Sequence, residues 1–351
     1  MEEKYNCRAL YYAPVDPKYF KKWEYYRVDK QMLEDVFTEV VVSNKLSICI
    51  YQIFFNRPQM VYIWWWHRSF IVILLCKILR LPTIGTGAVH MFDESGSKDF
   101  FSHSFIYRLL NRLAWRFLNV TLFISKSQYR QVVSHEKVRN PKVLKSSILS
   151  DHLSPPNFKR TSKKIKLLTV CWLTEDQIKR KSLYILLDAI SKLFKDQRSL
   201  IHLTIIGGNG NGLSALEAYV GKLGLKDQVE IIVDADESEK IMAYKQADLY
   251  FQASFYEGFG NSVMEAMSYG LPALVSGYTA QPEVVGNSGL VLRQIDCPSI
   301  QEQLVYFLSL SVKERNAMRR KAYETVIEQH SYEVRFREFK KIIRDLNLEI
   351  N

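Results

Sequence analysis

From Lys163 onward the chain alternates short apolar, β-branched runs with segments of helical period. Ile165 to Val170 reads as a strand, and a helix follows from Ser182, whose hydroxyl is expected to cap it. Leu183, Leu186, Leu187, Ile190 and Leu193 recur at three- and four-residue spacing, so one face of that helix is buried. The next units are strand Ile201 to Ile206, a glycine-rich turn to Gly212, helix Leu213 to Leu223 and strand Val229 to Val233. Helix Ser238 to Gln246, strand Asp248 to Gln252, helix Asn261 to Tyr269 and strand Pro272 to Ser276 complete the series. Gly270 stands where a helix C-terminal glycine belongs, with Pro272 just beyond. This alternation predicts an α/β fold, with parallel strands joined by helical crossovers into a doubly wound domain.

The first half repeats the theme less cleanly. Strands are expected near Arg8 to Tyr12, Val61 to Trp66, Thr83 to Thr86, Val120 to Ile124 and Val143 to Leu144, with helices at Phe70 to Leu79 and Phe105 to Leu118. Ser150 to Lys164, rich in Ser, Pro, Asn and Lys, is the natural linker. Two sheets facing one cleft are therefore expected, with ligands bound in loops beyond the carboxyl ends of their strands.

Composition narrows this picture. At 351 residues and 47% apolar content the chain exceeds one comfortable core, which favours two domains. The longest apolar run, Phe70 to Cys76 with Ile78 and Leu79 beyond, is interrupted by Lys77; it is shorter than the roughly 18 residues of a spanning helix and reads as a buried one. Met-Glu-Glu-Lys at the amino terminus lacks the basic-then-apolar order of a secretory signal, so a cytoplasmic location is expected. Five scattered cysteines without C-x-x-C spacing read as reduced core residues. A net charge of +11 favours polyanionic partners, among which nucleic acid is not expected, because the basic residues are dispersed and no nucleic-acid-binding signature accompanies them.

The segment richest in chemistry runs Phe255-Tyr256-Glu257-Gly258-Phe259-Gly260-Asn261-Ser262-Val263-Met264-Glu265-Ala266-Met267, after a strand and into a helix. Two glycines let backbone approach a ligand, and the helix-start amides near Asn261 and Ser262 suit a diphosphate. Glu257 precedes the helix and Glu265 lies inside it, so both carboxylates can border one pocket while meeting different hydroxyls of a sugar-bearing ligand. Taken singly, each glutamate reads as a solvated residue. Together with the glycines and the following A-M-S-Y-G-L-P, the pair reads as a site.

This segment resembles the E-x7-E signature of the retaining GT-B glycosyltransferases called group 1, or family 4. The resemblance covers the second half well and the first weakly. It implies a GT-B architecture: an acceptor-side Rossmann-like domain at 1–157, a nucleotide-sugar domain at 158–329, and a final helix within 330–351 returning to the first domain. It also implies that Glu265 holds the ribose hydroxyls, that Glu257 contacts the donor sugar and stabilises positive charge at its anomeric carbon, and that the Gly258 to Ser262 turn binds phosphate. Val170-Cys171-Trp172-Leu173 followed by Ile178-Lys179-Arg180-Lys181-Ser182-Leu183 looks like the family's G-R-L … K-G element. Lys181 matches its lysine and would neutralise the leaving diphosphate. Trp172 stands where the arginine is usual, so either Arg180 or Lys179 supplies a second cation, or donor binding differs in detail.

Gly207 to Gly212 fails the G-x-G-x-x-G test of a dinucleotide fold, though Gly207 and Gly208 border the place where a donor would lie. Asp234-Ala235-Asp236 has D-x-D form; the resemblance puts it in a loop near the nucleotide base, so Asp234 is read as a donor contact through its backbone and no metal is assigned. His90, after Thr83 to Val89, matches a histidine the family keeps beside the reacting sugar, and Trp64-Trp65-Trp66-His67-Arg68 reads as a candidate acceptor groove with at least one tryptophan in the core. Glu283 is left open between donor contact and helix capping.

The expected activity is retaining, metal-independent hexosyl transfer without a cofactor, from a UDP- or GDP-type sugar to a saccharide or lipid-linked acceptor in surface polysaccharide or glycoconjugate assembly. The basic, aromatic helix Tyr107 to Phe117 permits peripheral contact with anionic membrane at its inner face, and equally permits packing on its own domain. Rival readings are a nucleotide-sugar epimerase or a phosphorylase on the same fold, and a catalytically silent GT-B scaffold.

Overall fold

The computed structural model describes residues 4–92, 99–149, 153 and 164–346. Most of the expected 150–164 linker, with the 157/158 boundary, lies outside the described residues. Contacts divide the chain into two units: one comprises 1–92, 98–150 and 330–351, the other 93–97 and 151–329.

In chain order, unit 1 holds β1 (Tyr5–Tyr12), α1 (Lys18–Lys22), α2 (Glu24–Val36), β2 (Phe37–Ser43), α3 (Leu46–Tyr51) running into a π turn (Gln52–Asn56), and β3 (Met60–Trp64). There follow α4 (Phe70–Ile78), β4 (Thr83–Gly87), α5 (Phe105–Phe117), β5 (Val120–Phe123), α6 (Lys126–Val133) and β6 (Pro141–Val143). The strands pair in the order β2-β1-β3-β4-β5-β6, all parallel. The chain steps outward from β1 to β2 and then back past β1 to β3, which creates a switch point between β1 and β3.

Unit 2 holds β7 (Ile165–Val170), α7 (Glu175–Arg180), α8 (Leu183–Ser191), α9 (Lys195–Arg198), β8 (Ile201–Gly207), α10 (Leu213–Lys222), β9 (Val229–Val233), α11 (Glu237–Gln246) and β10 (Leu249–Gln252). It continues with α12 (Asn261–Ser268), β11 (Ala273–Ser276), α13 (Gln281–Val285), β12 (Leu290–Leu292), α14 (Cys297–Ser309) and α15 (Val312–His330). Its parallel sheet runs β12-β11-β10-β7-β8-β9, with the switch point between β7 and β10. Strands such as β10 and β11 are buried along their whole length, the expected state of a parallel strand covered on both faces. Gly270, at φ +67°, ends α12 in the left-handed conformation, where the Leu271 N–H reaches back to the Ala266 carbonyl.

The last helix, α16 (Tyr332–Asp345), belongs to unit 1. Its Arg335 donates to the buried Asp29 carboxylate of α2 at 2.6 Å, and that carboxylate also accepts from Tyr62 Oη (2.8 Å) and Trp64 Nε1 (2.9 Å). Both oxygens of a carboxylate with no access to water are thereby hydrogen-bonded and its charge is paired, and the condition for burying it is met.

The structure corrects several expectations. Helix α2, strand β2 and helix α3 had no counterpart in the sequence reading, because β2 follows α2 with no turn residue between them. Strand β3 stops at Trp64: Trp65 adopts φ +65°, so the three tryptophans do not alternate along a strand. Trp64 and Trp66 instead enter the two different cores of unit 1. Ser182 does not cap α8; it sits at φ +58° with its hydroxyl buried and unpartnered among the described residues. Residues 178–180 are helical, forming the end of α7. Cys7 and Cys297 are half-buried rather than core, while Cys49, Cys76 and Cys171 are buried; all five are free thiols. Helix α4, expected to be buried, leaves Ile71, Leu74 and Ile78 exposed.

Candidate functional site

At the unit 2 switch point, β7 ends in Val170 and β10 in Gln252, and the loops beyond them carry the charged residues. Gln252 is completely buried, and its side chain organises the rest. Its Oε1 accepts from Lys181 Nζ (3.0 Å), Ser262 Oγ (2.7 Å) and Tyr250 Oη (3.2 Å), while its Nε2 donates to Glu257 Oε1 (2.9 Å). Lys181 also donates to the Val170 carbonyl at 2.7 Å. Burial pushes the Lys181 ammonium below its ordinary range, an effect partly opposed by Glu257. This cation is therefore short of counter-charge.

The Glu257 carboxylate takes further bonds from Ser254 Oγ (3.1 Å) and Arg180 Nη1 (2.9 Å), and the Glu257 N–H is held by Thr279 Oγ1 at 3.1 Å. Arg180 is fixed in turn on the Tyr256 carbonyl at 2.8 Å. Lys179 instead forms an exposed pair with Glu175 one turn earlier on α7. Of the two cations weighed as partners for Lys181, geometry thus sets Arg180 against Glu257 and leaves Lys179 in solvent.

Gly260 stands at φ +106° as the N-cap of α12, a conformation that an L side chain rarely adopts, and no side chain caps the helix. Among the described residues the first-turn amides of Asn261 and Ser262 consequently meet no side-chain acceptor, which keeps the helix start available for an anion. Phe259 is buried and anchors the turn, whereas Gly258 is part-exposed. Further along α12, Glu265 accepts from Lys240 Nζ (2.9 Å) and Tyr244 Oη (3.0 Å) of α11. Burial opposes the charge on Lys240, but Glu265 and Glu237 outweigh it and raise its pKa.

Other sequence candidates land differently. A Cβ on Gly207 would come within 1.9 Å of the Cys171 carbonyl oxygen, so that glycine is required by strand packing. One on Gly208 would meet the Trp172 ring at 2.3 Å. Trp172, 55% exposed, therefore covers the glycine read as a donor contact. Asp234, at φ +54°, accepts from the Asn209 N–H at 3.0 Å and ties the loops after β8 and β9 together; Asp236 caps α11 in a reciprocal box with Glu239. Glu283 lies in the first turn of α13.

In unit 1 a cavity of about 810 Å³ opens at the switch point, lined by loops after β1 (Pro14, Val15, Asp16), β2 (Asn44), β3 (Trp65, His67, Arg68) and β4 (Ala88). Tyr19 and Trp23, stacked at 4.0 Å between ring centroids, and Tyr107 complete an aromatic wall. His90 belongs to the loop after β4 without lining this cavity; its carbonyl accepts from the Phe100 N–H. Burial, with Arg68 and His103, lowers the His67 pKa to about 4.

The sequence reading passed over Gln252. No motif announces it: a glutamine closing an apolar strand is its only signal, legible once the strand end is known to face the switch point.

Residues 163–325 match the model of the family described as glycosyl transferases group 1. This stretch of the chain belongs to that family. O-antigen chain mannosyltransferase B of Escherichia coli is 43% identical over 65 residues, which are 18% of this chain and 17% of that protein. The matched segments span between 14% and 48% of the curated relatives. Among solved structures, a glycosyltransferase from Rickettsia africae superposes with a TM-score of 0.75 at 15% identity, covering 97% of this chain and 98% of that one. Anabaena HepE, solved in complex with UDP and glucose, gives 0.72 at 14% identity over 97% and 100%. These structural neighbours identify the fold as GT-B, built from two Rossmann-like domains.

Proposed function

We propose that this group 1 domain works in a retaining, metal-independent glycosyltransferase that moves a hexose from a UDP- or GDP-type sugar to a saccharide or lipid-linked acceptor, in surface polysaccharide or glycoconjugate assembly. The observation that carries the reading is the cluster of Lys181, Gln252, Glu257 and Arg180 beside the uncapped start of α12. Among the described residues Lys181 forms no ion pair, and the first-turn amides of α12 have no side-chain acceptor. A leaving diphosphate supplies both needs, and its charge grows as the glycosidic bond breaks, so these groups bind the transition state more tightly than the ground state.

In this account Glu257, its carboxylate fixed by three donors, faces the developing positive charge at the anomeric carbon. Glu265 exchanges its bonds to Lys240 and Tyr244 for ribose hydroxyls, and the backbone at Gly208 and Asp234 borders the base. The acceptor hydroxyl gives its proton to the departing phosphate, on the face that the donor leaves. The aromatic cavity of unit 1 suits a sugar ring, with Arg68 as counter-charge for an anionic acceptor, and His90 is retained as a sugar contact. HepE, solved with UDP and glucose, lends support for the donor class. A lipid-linked acceptor would bring the protein to the inner face of a membrane.

The experiment is release of nucleoside diphosphate from UDP-glucose, UDP-N-acetylglucosamine and GDP-mannose, with Glu257→Gln as control. Release from one donor, abolished by the substitution, is expected. Tight donor binding without release in either protein would favour the silent scaffold, to which the exposed Trp172 in place of a cation already gives some footing.

A further inference from the structure

The exposed side of α4 is part of a larger surface. The connections through α3, α4 and α5 step across the unit 1 sheet in one direction, and right-handed crossovers place them on one face. Their inner residues, among them Cys49, Ile53, Val72, Cys76 and Trp115, share a single core. Helix α3 touches α4 and α4 touches α5, so their outer sides form one layer.

That outer layer is apolar. Ile48, Tyr51 and Phe55 follow one another at i, i+3 and i+7 along α3 and the π turn, and Ile71, Leu74 and Ile78 repeat the spacing on α4. Phe105, Ile106 and Leu109 continue it on α5. Phe55 is 73% exposed, Ile78 68% and Ile106 66%. A helix that is apolar on its sheet side needs no second apolar stripe to fold, so the outer one answers to something outside the unit.

Charge identifies the occupant. Residues 40–92 contain no Asp or Glu, and neither do residues 100–135. On and beside these helices Lys45, Arg57, Lys77, Arg80 and Arg116 are exposed, and among the described residues none of them forms an ion pair. A second copy of the chain would set these cations against their own equivalents. We propose that the face formed by α3, the π turn, α4 and α5 docks on an anionic bilayer, its apolar side chains entering the interface and its cations holding anionic head groups. At nine residues α4 lies along the bilayer rather than across it. The proposal deepens the reading of a lipid-linked acceptor, yet the docking itself needs no transfer activity.

The test is flotation of the full chain with vesicles of phosphatidylcholine alone or mixed with phosphatidylglycerol. Binding roughly tenfold or more stronger to the mixed vesicles, weakening as salt rises, is expected. The triple variant Phe55→Ser, Ile78→Ser, Ile106→Ser should keep its melting temperature and lose that binding, and Lys77→Glu with Arg80→Glu should lose the preference for anionic lipid. Absence of vesicle binding, equal binding by the triple variant, or a solution dimer dispersed by the triple variant would each overturn the proposal. Nucleotide stabilisation of the triple variant, measured alongside, is expected to match the parent, so a failed docking surface and a failed transferase reading remain distinguishable.

Discussion

Replacing Gln252 with leucine tests whether the unit 2 cluster is organised as described. Leucine matches glutamine closely in size, so packing is largely retained while four hydrogen bonds vanish together: those with Lys181, Glu257, Ser262 and Tyr250. Bonds to charged groups are worth roughly 1.5–3 kcal/mol and neutral ones about 1 kcal/mol, which puts the gross loss at about 5–8 kcal/mol. Glu257 and Ser262 lie partly open and regain water, whereas Lys181 and Tyr250 do not, so about half of that loss should survive as destabilisation, ~3 kcal/mol. For a unit of this size that corresponds to a fall in apparent Tm of roughly 6–12 °C by differential scanning calorimetry. Because Lys181 and Glu257 both lose their placement, turnover should drop on the order of 100-fold even at temperatures where the variant is folded. A variant that melts within about 2 °C of the parent and turns over normally would refute the claim that Gln252 positions the charged pair.

Three further expectations follow from other places in the molecule. Gly207→Ala drives a Cβ into the Cys171 carbonyl and should cost at least about 3 kcal/mol in denaturant titration, while Gly208→Ala meets only the exposed Trp172 ring and should stay folded with altered tryptophan fluorescence. Arg335→Leu strands the buried Asp29 carboxylate and should destabilise by about 3–5 kcal/mol; adding Asp29→Asn should recover much of the loss. His67 is neutral in the fold down to about pH 4, whereas the unfolded chain binds a proton from its ordinary 6.5 downward. The unfolded state therefore binds more protons in that window, and stability should fall as pH drops from 6.5 toward 4, by at most about 3 kcal/mol. His67→Asn should flatten the decline, and parallel melting curves for variant and parent across that range would contradict it.

The repeating strand–helix alternation of the second half was legible because its strands are short apolar runs and its breaks carry Gly and Pro. The Glu257 to Glu265 segment was legible because glycines, carboxylates and a helix start coincide in nine residues of sequence. The first half hid more. Helix α2 passes into β2 without a turn residue, and Trp65 leaves the strand in a left-handed conformation that nothing in a run of three tryptophans announces. Ser182 looks like a cap by residue type, yet the chain enters α8 through positive φ and turns its hydroxyl inward. The exposure of α4 was hidden for another reason: an apolar run is equally compatible with a helix covered on two sides and one covered on a single side, and only the sheet topology distinguishes them.

The central claim is that the cluster at the β7–β10 switch point of unit 2 binds a nucleoside diphosphate, with Glu265 on its ribose. Isothermal titration of UDP and of GDP into the protein, and into Glu265→Ala, measures this directly. Binding of one nucleotide in the micromolar range, weakened roughly 10- to 100-fold by the substitution as a lost charged hydrogen bond requires, is predicted. Equal affinity in the two proteins, or no heat with either nucleotide, would contradict it.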